Sequence, residues 1–219
     1  DVLDFASLLA PIPGENPAGK DLRSDASPKS IYREIKDARG RARGAERNLL
    51  LREGQDDQGQ PTAPPDWRPV LNLAPKAIAG QTKDLEIVSF LTEALVRERG
   101  FAGLRDGFRL ARELVERFWD NLYPMPDEDG VRTRVAPLAA LNGEEGDGLL
   151  AGPIGRAPVT AGKSVGPFSL ADYNQAAEVE QIQDATKQAR RLEEPGMVSM
   201  QVFNKAVSET PREFFVNLV

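Results

Sequence analysis

The chain has 219 residues, of which 40% are hydrophobic and 28% charged, and its formal net charge is −6. This balance is typical of a folded globular protein, and the acidic excess disfavours general attraction to nucleic acid or to anionic lipid. Because the sequence contains no Cys and no His, these residues can form no disulfide, no Cys or His metal site and no Ser-His-Asp triad, which leaves carboxylate, Lys, Tyr and Arg chemistry.

The first 28 residues predict a short helix followed by a surface loop. Leu3, Ala6 and Leu9 recur at helical spacing. Residues 11–28 contain four Pro and two Gly, which favours an ordered or extended loop. The chain does not open with a basic stretch followed by an apolar one, and no run approaches 18 apolar residues. We therefore expect a cytoplasmic chain without a membrane span.

The segment from Lys29 to Glu53 predicts a basic helix. Its apolar residues recur at spacings of three and four, and it carries eight basic residues against four acids. Such a stripe suits nucleic-acid binding through Arg39, Arg41 and Arg43, or a solvated helix face, or a docking stripe for an acidic protein. The negative net charge of the whole chain favours the last two interpretations. Residues 54–65 then predict a loop.

Three apolar helices follow and supply the core of the predicted fold. Asp66 is placed to cap the first helix, which ends at Gly80 and which Pro75 is expected to kink. Residues 83–99 form the second helix, and Gly100 is expected to stop it. The third begins at once, so the two should be antiparallel neighbours. Its predicted apolar stripe consists of Phe101, Leu104, Phe108, Ala111, Val115, Phe118 and Leu122.

The remainder of the chain predicts shorter helices separated by loops. An acidic loop after Tyr123-Pro124 leads into a short helix that ends at Asn142-Gly143. Residues 143–167 are rich in Gly and Pro and predict a linker. Ser169 and Asp172 form a capping-box signature for a helix that reaches Glu194. Residues 199–219 predict one or two more helices, with an N-terminal signature at Thr210-Pro211-Arg212-Glu213.

No segment shows sustained period-two alternation. The sequence therefore predicts an all-α fold, an antiparallel helical bundle with a Pro/Gly-rich N-terminal loop and a further helical C-terminal segment. The predicted organisation is a helical domain over residues 1–142, a linker over 143–167, and a helical extension or the start of a second domain over 168–219.

Several motif-like strings favour structural interpretations over catalytic ones. Residues 157–164 fit a loosened phosphate-loop pattern, but Gly-Pro pairs flank them where a strand and a helix are required. The acidic run 127–130 lacks ligands spread over the twelve positions of an EF-hand, which favours a solvated loop. Nothing in the sequence indicates a cofactor, a metal site or a pair of catalytic carboxylates. Convergence of Asp21, Asp25, Asp66 or Glu86 would nevertheless suit a hydrolase.

A set of ordered motifs resembles the ImpA-related N-terminal domain of the TssA components of bacterial type VI secretion systems. The resemblance covers residues 8–142 and begins with a Pro/Gly loop, residues 11–20, that leads into Asp21-Leu22-Arg23. The other motifs follow in the family's order: Asp66-Trp67-Arg68, Thr82-Lys83-Asp84-Leu85, Leu91-Thr92-Glu93-Ala94-Leu95, Gly103-Leu104-Arg105-Asp106-Gly107, Phe118-Trp119-Asp120-Asn121-Leu122-Tyr123-Pro124 and Asp127-Glu128-Asp129-Gly130. Pro75 and the loop 54–65 depart from the family's pattern.

The resemblance implies a non-catalytic assembly factor located in the bacterial cytoplasm. Members of this family contact baseplate, sheath, tube and membrane-complex proteins of the secretion machine. They form homo-oligomeric rings, largely through C-terminal regions that are outside this chain. The present domain is then expected to be a docking arm without cofactor, nucleic-acid partner or direct membrane insertion.

The expected partner-binding residues lie in the Pro/Gly loop and at the corner formed by residues 119–130. They are Asp21, Arg23, Trp119, Tyr123, Asp127 and Glu128. Trp119 is a binding anchor in this interpretation, whereas the Phe118-Trp119 pair is most simply core. The alternatives are a carboxylate-based hydrolase, which requires a deep pocket with perturbed carboxylates, and a nucleic-acid-binding module on helix 29–53, which requires steep salt dependence.

Overall fold

The computed structural model describes residues 1–51, 63–143 and 148–218. Over these residues it contains ten α-helices and no β-sheet, which confirms the all-α prediction. The helices are α1 Phe5–Leu8, α2 Ile31–Leu51, α3 Arg68–Gly80, α4 Leu85–Phe118, α5 Val131–Asn142, α6 Ala151–Arg156, α7 Leu170–Glu180, α8 Ala185–Leu192, α9 Met200–Glu209 and α10 Arg212–Leu218. No helix in the described ranges is long and apolar enough to cross a membrane.

The chain groups into two compact units. The first comprises Asp1–Arg99 and Gly103–Leu149, and the second comprises Gly100–Ala102 and Leu150–Val219. The predicted linker 143–167 contains α6, and its residues 144–147 lie outside the described ranges, as does most of the predicted loop 54–65. The division into domains at residues 142 and 168 therefore stays a proposal.

The core of the first unit lies between α2, α3 and α4. The apolar spacing predicted for α2 places Ile35, Ala38 and Ala42 in the interior. Helix α3 adds Val70 and Ile78, both fully buried. Burying one such Val or Ile side chain stabilises the fold by about 1.5–3 kcal/mol. Packing of these three apolar faces thus accounts for the helical bundle.

Helix α3 begins almost where the sequence predicts. The carboxylate of Asp66 accepts the backbone N–H of Arg68 at 3.1 Å, whereas the N-cap position itself is Trp67. Trp67 is 2% exposed, and the guanidinium of Arg97 lies 4.3 Å from its ring centroid. The helix continues through Pro75 to Gly80. The prediction that Asp66 caps this helix is therefore wrong by one residue: Trp67 is the N-cap, no side-chain hydrogen bond is made from that position, and Asp66 bonds the Arg68 N–H from one residue earlier.

Helix α4 folds back on itself at Gly100, where the backbone leaves helical geometry at φ +56°. A Cβ atom added to Gly103 would lie 2.3 Å from the carbonyl oxygen of Leu95, and one added to Gly107 would lie 2.5 Å from the hydroxyl of Thr92. In a straight helix, residues eight and fifteen positions apart would be separated by about 12 and 22 Å. The two arms, residues 85–99 and 101–118, are therefore antiparallel neighbours, as predicted.

The buried face of the second arm differs from the predicted stripe. Gly103, Gly107, Leu110 and Leu114 are buried, whereas Phe108 is 45% exposed. The two glycines face the first arm at the points where the arms approach most closely. A larger side chain at either position would hold the two helices apart. The prediction that Phe108 belongs to the core is therefore wrong.

In the second unit, the capping box at Ser169 and Asp172 is confirmed at the start of α7. The prediction of one helix reaching Glu194 is wrong, because α7 ends at Glu180 and α8 begins after Asp184. The carboxylate of Asp184 accepts two backbone N–H groups of the following turn at 2.9 and 3.1 Å. An N-cap aspartate that satisfies two free donors favours a new helix start over continuation. Helices α9 and α10 follow as predicted.

The phosphate-loop-like string lies on the loop between α6 and α7. The backbone N–H groups of Lys163 and Ser164 donate to the carboxylate of Glu209 at 2.9 and 2.8 Å. These amides are therefore occupied by an internal carboxylate, in agreement with the structural interpretation of this segment.

Candidate docking surface

The Pro/Gly loop after α1 is ordered by its own hydrogen bonds. The N–H of Ile12 donates to the carbonyl of Pro17 at 2.9 Å, and the N–H of Gly19 donates to the carbonyl of Asn16 at 2.8 Å. The side-chain oxygen of Asn16 accepts the N–H of Ala18 at 2.9 Å. The loop therefore has a defined shape, as its composition predicted.

Backbone hydrogen bonds fix this loop to the turn between α3 and α4. The N–H of Lys83 donates to the carbonyl of Ala18 at 2.7 Å, and the N–H of Lys20 donates to the carbonyl of Gln81 at 3.0 Å. Between them, Gly19 has a φ of +76°, and a Cβ there would lie 2.2 Å from the Gln81 oxygen. Only glycine fits this contact.

Arg23 ties the end of the loop to the N-terminus of α4. Its guanidinium donates to both carboxylate oxygens of Asp84 at 2.7 and 3.1 Å, to Glu86 at 3.1 Å and to Asp21 at 2.8 Å. Asp84 is fully buried and also caps α4 by accepting the N–H of Glu86 at 2.8 Å. Burial raises the pKa of Asp84 to about 6, and the charge of Arg23 opposes that rise.

The predicted site residues Asp21 and Arg23 are thus part of an internal ion-pair network. The hydroxyl of Tyr32 on α2 joins it by donating to Glu86 at 2.9 Å. Burial, together with the Glu86 charge, raises the pKa of this Tyr32 hydroxyl. The Arg23 side chain remains 26% exposed, so its role as a partner contact stays a prediction.

Tyr123 joins the Pro/Gly loop to the corner at residues 119–130. Its hydroxyl accepts from the side-chain amide of Asn16 at 3.2 Å and lies 3.3 Å from the carbonyl of Gly19, to which it donates. Its backbone N–H donates to the backbone carbonyl of Lys83 at 2.9 Å, and its carbonyl accepts the backbone N–H of Leu85 at 2.8 Å. The two regions proposed from the sequence are therefore adjacent in space, with Tyr123 between them.

The corner is built around Arg134 of α5, a residue that sequence analysis missed. Arg134 is 3% exposed and donates to the backbone carbonyls of Pro124, at 3.1 Å, and Trp119. Its guanidinium lies 4.9 Å from the Trp119 ring centroid, and one of its nitrogens lies 3.5 Å from the sulfur of Met125. A buried cation therefore holds the turn and the indole in one arrangement.

Three large apolar side chains are exposed around this arginine. Trp119 is 38% exposed, Met125 46% and Val131 52%. Trp119 and Met125 both contact Arg134, and Val131 lies one turn before it on α5. Exposed apolar side chains grouped in this way are typical of interaction surfaces. We call this group, together with the acids beside it, the Trp119 corner.

The acids of the Trp119 corner are Asp120 and residues 127–129, all exposed. Asp127 shapes the loop, because its carboxylate accepts the Thr133 hydroxyl and the backbone N–H of Asp129, the latter at 3.0 Å. These bonds hold the pKa of Asp127 below its usual value. The Glu128 side chain is exposed beside it, so the corner presents negative charge next to the apolar group.

Lys83 is a second buried cation that the sequence analysis did not single out. It is fully buried, and its Nζ donates to the carbonyls of Leu8 at 2.8 Å and Ile78 at 2.7 Å. Both carbonyls lie in the last turn of a helix, where a cation is favoured. Burial lowers the pKa of Lys83 to about 8. The sequence signal that could have identified it is its position at the junction of two predicted apolar helices.

Two arginines of the basic helix α2 form contacts inside the first unit. The Arg39 guanidinium donates to the buried carboxylate of Glu93 at 2.7 Å and lies 4.4 Å from the Phe90 ring centroid. Arg43 lies 3.9 Å from the same carboxylate. Two of the three arginines proposed for nucleic-acid contact therefore face α4, which weighs against that alternative.

The four carboxylates considered for a hydrolase do not converge. Asp21 and Glu86 meet only through Arg23, whereas Asp66 pairs with Arg68 and Asp25 accepts the N–H of Ser27. In the described ranges, no cluster of three or more acidic side chains is arranged to hold a metal ion. These four carboxylates therefore do not form the paired arrangement that the hydrolase alternative requires.

Comparisons with known proteins agree with the motifs. A family model described as ImpA, N-terminal, type VI secretion system matches residues 9–143. The chain is 30% identical over 185 residues to the type VI secretion system component TssA1 of Pseudomonas aeruginosa, and this match covers 84% of the chain and 50% of that protein. The chain thus spans about half the length of this curated relative.

A solved structure is similar over nearly the whole chain. It is the N-terminal domain, including the conserved ImpA N-terminal region, of the TssA component of the type VI secretion system from Burkholderia cenocepacia. The TM-score is 0.71 at 28% sequence identity, with 98% of this chain and 74% of that chain covered. The resemblance seen in the sequence is confirmed, and the chain belongs to the ImpA N-terminal family of type VI secretion system TssA components.

Proposed function

We propose that this chain is a non-catalytic docking arm of a type VI secretion system and that it binds other components of the machine through the Trp119 corner. The observation that carries the proposal is the pairing of an exposed indole with the buried guanidinium of Arg134. Trp is enriched among the residues that dominate binding energy at interfaces. A ring that is fixed before binding loses less conformational freedom on association.

The Pro/Gly loop supports the corner in this proposal. Asn16 and Gly19 hold the hydroxyl of Tyr123, and Arg23 anchors the end of the loop on Asp84. Asp21, Arg23 and Tyr123 therefore act mainly by positioning, whereas Trp119 and Glu128 contact the partner. The exposed acids steer and select partners more than they supply affinity.

The proposed partners are baseplate, sheath, tube and membrane-complex proteins of the secretion machine, in the bacterial cytoplasm. The family supports this choice, since the chain is similar to TssA components. We further propose that the full-length protein is a homo-oligomer through a region outside this chain.

A capture experiment tests the proposal. The chain is immobilised and incubated with a bacterial lysate that contains type VI components, and retained baseplate, sheath, tube and membrane-complex proteins are identified by mass spectrometry. We expect Trp119→Ala to reduce their retention at least about fivefold, as for an interface anchor. The matched control is Phe108→Ala, which removes an aromatic ring that is 45% exposed, against 38% for Trp119, from the same unit and outside the corner.

The two variants separate the possible results. Equal retention by Trp119→Ala and by the original chain would refute binding through the Trp119 corner. Equal loss in Trp119→Ala and Phe108→Ala would also refute it, because retention would then depend on general surface hydrophobicity. Absence of all type VI components from the original chain would refute the docking role itself.

A further inference from the structure

The exposed side of the basic helix α2 is positively charged. The helix contains six cations and three acids, although the whole chain has a net charge of −6. Arg39 pairs with Glu93 of α4, and Glu46 pairs with Arg97 of α4 at 2.8 Å. These two pairs lie on the side of α2 that packs against α4. The other seven charged residues of the helix, five of them cations, are exposed.

Four of the exposed cations form one row along the helix, which we call the α2 row. Together with Gly40 they recur at alternating spacings of three and four residues, and they are Arg33, Lys36, Arg43 and Arg47. Residues at these spacings share one face of a helix, and this face is about 21 Å long. Asp37 borders the α2 row, whereas Glu34 lies farther around the helix. The row therefore remains positive even when the charge of Asp37 is counted.

The charges of the α2 row are largely unpaired. Among the residues that the structure describes, Arg43 alone of the four has a carboxylate within ion-pair distance, that of Glu93 at 3.9 Å. Glu93 is fully buried and already pairs with Arg39, and 42% of the Arg43 side chain remains exposed. Like charges three or four residues apart destabilise a helix. The α2 row therefore costs stability that an external anion can restore.

Gly40 leaves the middle of the α2 row open. The residue is exposed, and a Cβ atom added to it would meet nothing within 4 Å. The distance between two packed helices depends on the side chains at their contact, so a residue without a side chain allows a close approach. A second helix laid along the row can therefore approach the backbone of α2 between Lys36 and Arg43.

We propose that the α2 row binds an acidic α-helix of a partner protein, laid along α2. Because every α-helix rises about 1.5 Å per residue, carboxylates repeated at spacings of three and four on the partner meet the cations of the row in turn. The opposite charges select an acidic helix over a neutral or basic one. A nucleic-acid duplex carries a charge about every 1.7 Å and would extend beyond the row over an otherwise acidic protein, which disfavours it.

The test uses a fluorescein-labelled, Ala-rich peptide of about 18 residues, long enough to form a helix in water. The face peptide carries five Glu at alternating spacings of three and four, so that all of them lie on one side. The control peptide has the same composition with its Glu distributed around the helix, and circular dichroism verifies that the two are equally helical. Binding to the full chain is measured by fluorescence anisotropy at low salt. We expect the face peptide to bind at least about fivefold more tightly.

Three variants of the chain locate the contact, each checked for its fold by circular dichroism. Arg33→Glu/Arg47→Glu reverses both ends of the α2 row and should weaken binding of the face peptide at least about tenfold. Lys76→Glu/Arg99→Glu is the matched control, because it makes the same change in net charge at two exposed cations of the first unit, outside α2. It should change the Kd less than about threefold. Gly40→Leu keeps every charge and should weaken binding at least about fivefold, since the new side chain holds the partner helix away.

The α2 row shares no residue with the Trp119 corner, so Trp119→Ala should leave binding of the face peptide unchanged. A loss in that variant would place the peptide on the corner and would overturn the proposal. Equal binding of the two peptides, equal effects of the row variant and its control, unchanged binding by Gly40→Leu, or no binding of the face peptide at millimolar concentration would each overturn it as well.

Two parallel titrations test the other occupants of the α2 row. One uses a labelled DNA duplex of about 20 base pairs, long enough to cover the row, and the other uses a labelled copy of this chain. Tighter binding of the duplex than of the face peptide, lost in Arg33→Glu/Arg47→Glu, would assign the row to nucleic acid. Self-association that the same variant abolishes would assign it to a second copy. Either result would overturn the proposal of an acidic partner helix.

Discussion

Replacing Gly40 and Gly103 with Ala should change stability in opposite directions. Both glycines lie within helices, where Ala is favoured over Gly by about 1 kcal/mol. A Cβ at Gly40 meets nothing within 4 Å, so Gly40→Ala should stabilise the chain by about 0.5–1 kcal/mol. A Cβ at Gly103 would lie 2.3 Å from the oxygen and 2.6 Å from the carbon of the Leu95 carbonyl.

The Gly103 contact cannot be relieved by rotating a side chain, because both Leu95 atoms belong to the backbone. The two arms of α4 would have to separate by about 1 Å to restore ordinary contact distances. Overpacking of this kind costs about 3 kcal/mol at the upper end of its usual range. After the gain in helix propensity, Gly103→Ala should lose about 2 kcal/mol net.

Urea denaturation followed by tryptophan fluorescence measures both effects. The signal reports the first unit, since Trp67 and Trp119 both lie there. The two variants should differ by about 3 kcal/mol, which corresponds to midpoints separated by about 1–2 M urea. If Gly103→Ala proves as stable as the original chain, the close approach of the two arms is wrong.

Three further predictions concern the buried cations and the ion-pair network. Because the pKa of Lys83 is lowered from 10.5 to about 8, the unfolded chain binds the proton more tightly, and stability should rise as pH increases from 8 toward 10.5; Lys83→Met should lack this rise, and an identical pH dependence in both proteins would contradict the assignment. Arg134→Ala should increase acrylamide quenching of Trp119 fluorescence, since the guanidinium covers one face of the indole; unchanged quenching would show that Arg134 does not position the ring. Arg23→Gln should lose about 3 kcal/mol at pH 7.5 because it leaves the buried Asp84 charge uncompensated. The loss should shrink at pH 5, below the Asp84 pKa of about 6, and equal losses in urea denaturation at both pH values would refute this coupling.

Local patterns predicted the helices well because their signals lie within a few residues of each other. The apolar spacing of α2, the capping box at Ser169 and the stop at Gly100 each depend on short-range geometry. The break before α8 was not predicted. A new helix capped by Asp184 and one continuous polar helix are both compatible with the residue spacing, and spacing alone does not show which of the two is more stable. Helix propensity alone differs too little between such alternatives to decide.

Features that depend on long-range packing were not accessible to the same reasoning. To predict the buried glycine face of α4, one must already know that its two arms are in contact. To predict the role of Arg134, one must know that α5 packs beneath the turn at residues 119–125. Among the predicted site residues, the structure brings Tyr123 and the Pro/Gly loop together. It also shows Arg23 to be engaged in internal ion pairs, which its charge alone could not reveal.

The burial of Lys83 gives the molecule a protected primary amine. Reagents that acylate lysines in water reach exposed amines such as Lys29 quickly, whereas the Lys83 Nζ is fully covered and hydrogen-bonded to two helix ends. Its acylation must therefore wait for α1 and α3 to separate. Mass spectrometry of the peptide that carries Lys83 would time the opening of this core directly, under native conditions and without any engineered label.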